Sequence, residues 1–129
     1  MNITVDTSGS SPPSVQIVEA ILDRVASGEL TPGTQLPSVR GLASAVLVNP
    51  NTVGRAYRDL AQMGVVRGRS GSGVFVTEEG PGIARDLRSA ATLEAVSQAV
   101  TEALRAGHSP EHILQVVEGI VAVTTKDAR

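Results

Sequence analysis

The stretch "VNPNTVGRAYRDL" (residues 48–60) opens with a helix-start signal and then shows two unlike faces. Asn49 is a good N-cap and Pro50 a good first helical residue, because proline has no N–H to leave unpaired there. At about 100° per residue, Val53, Ala56, Tyr57 and Leu60, with Met63 beyond them, share one side, while Asn51, Arg55, Arg58 and Gln62 fall opposite. The first set is expected to pack. The second is free to bind, and asparagine and arginine carry paired donors and acceptors that match adenine and guanine edges in the major groove. A merely solvated face is the ordinary alternative for any amphipathic helix, so the neighbouring segments decide.

Upstream, Ser38 predicts the cap of another helix reaching about residue 46, with Val39, Leu42, Ala43 and Val46 inward and only "LVNP" before the next. Two helices joined by a tight turn, the second with a polar start, fit helix-turn-helix docking. Further back, "LTPGTQLPS" reads as a turn, and Val18, Ile21, Leu22 and Val25 place a first helix over residues 14–27, ended by Gly28. "ITVD" (residues 3–6) reads as a short extended segment.

Downstream, Gly64 should stop the helix. "VVRGRSGSGVFV" then sets two β-favouring runs, Val65-Val66 and Val74 to Val76, around a glycine-rich tip bearing Arg67 and Arg69, which predicts a hairpin. Three helices followed by a basic hairpin make a winged helix. In that arrangement Arg67, Arg69 and the backbone N–H groups of Ser70, Gly71, Ser72 and Gly73 come within reach of sugar-phosphate or the minor groove.

Charge agrees with this placement. The chain carries a net charge of −2, yet residues 36–76 hold five arginines against the single acid Asp59. A focused positive segment in an acidic chain points to a specific polyanion partner and away from indiscriminate binding. With one Phe, one Tyr and no Trp, the core must come from aliphatic side chains, and base stacking of the single-strand binders is not expected. No cysteine is present, which removes disulfides, thiolate chemistry and cysteine zinc sites. "MNITVDTSGSSPP" lacks the basic start and apolar run of a signal peptide, and "ILQVVEGIVAV" is too short to span a bilayer. A cytoplasmic location with no membrane partner is the default expectation.

"GPG" (residues 80–82) reads as a break before a long helix over about residues 83–106, and Ser109-Pro110 as the start of a last one to about residue 123. Leu93, Val96, Val100, Ala103 and Leu104 on the first, with Ile113, Leu114, Val117, Ile120 and Val121 on the second, form apolar stripes. The two stripes can pack on each other, but a helix pair with no third layer still exposes apolar surface as a monomer. A homodimer removes that exposure and presents two recognition helices to a palindromic site with half-sites about one helical turn apart.

These residues resemble the GntR family of bacterial transcription regulators, and within it the short YtrA-type subfamily. The resemblance covers residues 12–76 and rests on "QIVEAI" (16–21), "GELTPGTQLPSVRGLA" (28–43), "NPNTVGRAYRDL" (49–60), "GVV" (64–66) and "GSGVFV" (71–76). It implies that Arg40, in "LPSVR", is the residue at the start of helix two that contacts DNA. It implies that Asn51 and Thr52 form the polar start of the recognition helix, that Arg55 is the second of its paired arginines, and that Gly71 and Gly73 are the wing glycines. Gly54 departs from the pattern, standing where many members have the first arginine, and Ser14 replaces a common aromatic. The C-terminal part matches by size more than by motif, two helices serving dimerisation with no room for the larger effector domains. Regulation of transporter operons is common in that subfamily.

The expected fold is therefore mainly α with a small β-wing: an N-terminal winged helix-turn-helix over residues 1–79 and a two-helix C-terminal dimerisation hairpin over residues 80–129. The expected function is a sequence-specific regulator, a repressor by resemblance, that binds double-stranded operator DNA as a homodimer. Ser38, Arg40, Asn49, Asn51, Thr52, Arg55, Arg58, Arg67, Arg69, Ser70, Gly71, Ser72 and Gly73 are the candidate DNA contacts. Leu93, Val96, Val100, Leu104, Ile113, Leu114, Val117, Ile120 and Val121 are the candidate dimerisation residues. The competing reading is a winged helix that meets an acidic protein surface with no sequence preference for DNA.

Other chemistry finds little support. A kinase-type reading of "GRSGSGVFV" (residues 68–76) needs a lysine on a following strand, and the one lysine, Lys126, lies near the chain end. His108 and His112 have metal-ligand spacing, but Pro110 starts a helix between them, which predicts His108 off the face of His112. No metal, cofactor or catalytic set is expected. A small-molecule effector stays open, with any pocket for it between the C-terminal helices or at the dimer interface.

Overall fold

Ile17, Ile21, Leu42, Val53, Leu60 and Val65 lose essentially all contact with water, and around them three helices and a wing assemble. The computed structural model describes residues 1–127, of which residues 1–89 form one compact unit and the remainder a second. The elements are α1 (Pro13–Ser27), α2 (Val39–Val46), α3 (Pro50–Met63), β1 (Val66–Arg69), β2 (Gly73–Val76), α4 (Gly80–Arg105) and α5 (Pro110–Asp127). The mainly helical, winged architecture is as the sequence predicts.

In the first unit, α3 packs against both α1 and α2, and β1 lies on α3. The faces follow the helical period: α1 buries Ile17, Val18, Ile21, Leu22 and Val25, and α3 buries Val53, Ala56, Tyr57 and Leu60. Each such aliphatic side chain contributes roughly 1.5–3 kcal/mol through its removal from water. Met63 departs from expectation, since it remains 38% exposed in the last turn of α3, past the edge of the core. Tyr57 keeps its hydroxyl satisfied inside by donating to the Pro37 carbonyl at 2.7 Å. Burial raises its pKa to about 12, because the phenolate is poorly solvated there.

The antiparallel β1–β2 pair has Val66 opposite Val76, Arg67 opposite Phe75 and Arg69 opposite Gly73. The turn before α2 extends this small sheet. Gly33 N–H donates to Val76 O at 2.8 Å, Val76 N–H to Thr34 O at 2.9 Å, and Leu36 N–H to Val74 O at 2.9 Å.

Two expectations need correction, and the extended segment "ITVD" pairs with no strand. Ile3 is instead buried in the core, while Gln16 binds the backbone N–H and C=O of Asp6, each at 2.8 Å. "GPG" does not interrupt the chain but begins α4, with Pro81 in the first turn, where its missing N–H is harmless. Gly80 and Ala84 are buried against the first unit, and Arg88 binds Asp23 of α1 at 2.7 Å, so this unit runs past residue 79 to Ser89. Finally, α5 continues beyond residue 123 to Asp127.

Leu47, between α2 and α3, is the one non-glycine residue with positive φ among those described, at 60°, and its side chain is 86% exposed. The left-handed conformation costs an L-residue roughly 1–2 kcal/mol, and no burial offsets it here. Leu47→Gly should raise the unfolding free energy by about 0.5–1 kcal/mol, after the larger chain entropy of unfolded glycine is subtracted. Urea titration of the two proteins checks this, and a lower midpoint for Leu47→Gly would contradict strain at this turn.

No helix among the described residues is long and apolar enough to cross a membrane.

Candidate nucleic-acid interface

The N-terminus of α3 is built by its cap. Asn49 Oδ1 accepts from Asn51 N–H at 2.8 Å, Asn49 O accepts from Thr52 N–H at 2.9 Å, and Pro50 occupies the first turn. In the same way Ser38 Oγ accepts from Gly41 N–H at 3.0 Å and starts α2, which carries Arg40 outward in its first turn. Two candidate contacts, Ser38 and Asn49, therefore act as caps. Their hydroxyl and amide donors remain available, but their capping oxygens are engaged.

Asn51, Arg55 and Arg58 all stay exposed on the face of α3 away from the core, and Thr52 is half-buried beside them. Gly54 flanks that face, in mid-helix, where glycine costs about 1 kcal/mol against alanine.

The register of the wing places Arg67, Arg69 and Phe75 on one side of the hairpin, and Val66 and Val76 on the side that faces the core. Arg69 lies over the Phe75 ring at 4.4 Å, a cation–π contact that holds the guanidinium at the tip. Within the tip, Ser72 N–H donates to Arg69 O at 2.9 Å, so it is not open to a phosphate as Ser70 and Gly71 are. Gly73 has φ of 118°, which favours glycine, and a Cβ there would stand 2.5 Å from Gln35 Nε2 and displace that amide.

Gln35 is the residue that sequence reading missed. Its side chain donates to Ser72 O at 2.8 Å and clasps the wing tip to the segment before α2. No local signal marks it, because the partner is distant in sequence.

Charge use separates two groups of arginines in this unit, with Arg85, which donates to the Ala26 carbonyl, outside both. Arg24 pairs with Glu29 at 3.1 Å, and Arg88 with Asp23 at 2.7 Å and Glu19 at 3.9 Å. Arg40, Arg55, Arg58, Arg67 and Arg69 are all exposed, and none forms an ion pair among the described residues. Five uncompensated guanidinium groups on α2, α3 and the wing make a surface suited to a polyanion.

The second unit has a different character. Between the rest of α4 and α5 lies a groove of about 520 Å³, lined by Val96, Val100, Ile113, Val117, Ile120 and Val121 among others. Val100 and Ile113 are only half-buried, whereas Leu93 is 67% and Ile120 62% exposed, so the two helices do not cover each other's stripes. His108 also lines the groove with His112, their rings 5.9 Å apart edge to face, although His108 precedes α5. The helix start at Pro110 thus does not carry His108 away from that face. Among the described residues, no group of three or more His, Asp or Glu side chains is placed to hold a metal.

Comparison with known proteins agrees with this geometry. Residues 13–76 match the family described as "Bacterial regulatory proteins, gntR family". The chain is 30% identical over 120 residues to the HTH-type transcriptional repressor YtrA of Bacillus subtilis (strain 168), covering 93% of this chain and 92% of that protein. Among solved structures, a GntR family transcriptional regulator from Listeria monocytogenes superposes with a TM-score of 0.65 at 28% identity, over 87% of this chain and 97% of that one. The DNA-binding domain of AraR, solved in complex with operator ORE1, gives a TM-score of 0.51 at 25% identity, over 57% of this chain and 89% of that one.

Proposed function

Because the chain belongs to the GntR family of bacterial transcriptional regulators, in its YtrA-type branch, we propose that it is a repressor that binds a palindromic operator as a homodimer. The observation that carries this reading is the set of five exposed, unpaired arginines on α2, α3 and the wing. α3 enters the major groove with Asn51, Thr52 and Arg55 toward base edges. Arg40 anchors phosphate from the first turn of α2. Arg67, Arg69 and the tip from Ser70 to Gly73, clasped by Gln35, follow the sugar-phosphate or the minor groove. The AraR domain, solved in complex with an operator, supports DNA as the partner of this surface.

A second copy of the chain covers the groove of the second unit, which places two recognition helices on one duplex. Catalysis has no part in this reading, and the regulator acts in the cytoplasm, where the chromosome is. Any small-molecule effector acts through that same helical region.

Titration against the DNA upstream of the protein's own gene, with scrambled duplex of equal length as reference and salt varied, tests the reading. Tight, selective binding that weakens steeply with salt is expected, since each neutralised phosphate releases counterions. Equal weak binding to both duplexes, insensitive to sequence at every salt concentration, would refute it and favour an acidic protein partner.

A further inference from the structure

Gly54 and Arg58 stand one turn apart on α3. A Cβ built on Gly54 would lie 3.5 Å from Nη1 of Arg58. The Arg58 side chain therefore runs back along the helix toward Pro50, as long helical side chains do over the residue four places earlier. Its guanidinium occupies the space that a larger side chain at position 54 would sweep. Among the described residues, no hydrogen bond or ion pair holds it there.

Direction decides what this group can reach. In helix-turn-helix docking, the N-terminal part of the second helix meets base edges and later turns meet backbone. By its place in the sequence, Arg58 belongs to a later turn. By the course of its side chain, its planar fork is carried back beside Gly54, toward the N-terminal turns of α3. A guanidinium in that position matches O6 and N7 of guanine. We propose that Arg58 reads a guanine at one position in each half-site, and that Gly54 is a specificity determinant through having no side chain. This rests on the reading of α3 as the recognition helix.

Selection from a pool of randomised duplexes tests it, with the wild type, Arg58→Ala and Gly54→Leu compared on the full chain. The wild type should enrich one motif. Arg58→Ala should lose preference for guanine at a single half-site position by about ten- to a hundredfold while keeping every other position. Gly54→Leu retains the charge and strengthens the helix, so loss of the same preference in that variant ties the effect to the displaced guanidinium. A uniform loss of affinity in Arg58→Ala, with the salt slope reduced by about one ion per half-site, would assign Arg58 to phosphate and overturn the proposal. An unchanged motif in Gly54→Leu would overturn it as well. Absence of any enriched motif for the wild type would sink the regulator reading itself, and this inference with it.

Discussion

Arg40→Ala combined with Arg55→Ala is expected to lower operator affinity by about a hundredfold or more, with the fold intact. Each arginine, removed alone, forfeits about 1–3 kcal/mol of contact, and a symmetric dimer loses each contact twice. Both side chains are exposed and neither holds an ion pair among the described residues, so unfolding free energies should stay within about 0.5 kcal/mol of the parent. The two singles should also differ in kind. Arg55→Ala relaxes the preference at one base pair, whereas Arg40→Ala weakens all duplexes alike and flattens the salt dependence. Parental affinity in the double variant would show that the DNA-contacting surface lies elsewhere.

The second large effect concerns assembly. Val117 and Ile120 line the groove between α4 and α5, and Ile120 is 62% exposed in the single chain. Placing aspartate at both positions sets two carboxylates into a surface that a second copy would dehydrate, at a cost of several kcal/mol per buried charge. Val117→Asp with Ile120→Asp should therefore sediment as a monomer. Operator affinity should fall by about 10²–10⁴, because the second half-site is no longer presented at the millimolar effective concentration that linkage provides. A dimer that persists in this variant, or an unchanged affinity, would remove the groove from the interface.

What was legible in the sequence follows from the range of the interactions involved. The cap at Asn49, the proline at position 50 and the spacing of Val53, Ala56, Tyr57 and Leu60 are local signals, and they placed α3 to the residue. The wing was legible for the same reason, since its two runs of valine flank their own turn. Contacts between distant segments were not. Gln35 reaches Ser72 across the chain, and Ile3 enters the core without a strand to carry it. "GPG" misled because glycine and proline mark helix starts as well as breaks, and only the burial of Gly80 and Ala84 decides between the two. Gly54 was visible as a departure from family pattern, but its relation to Arg58 depends on a side-chain path that periodicity does not encode.

The hydroxyl of Tyr57 on α3, bound to the Pro37 carbonyl, belongs to the only tyrosine of a chain that has no tryptophan. Tyrosine emission of the protein thus arises from a single point in the DNA-binding unit, and residues 90–129 hold no Phe, Tyr or Trp to contribute to it. Circular dichroism in the far ultraviolet counts the helices of both. Any difference between the two signals during denaturation is therefore a direct reading of how independently the halves of the chain come apart.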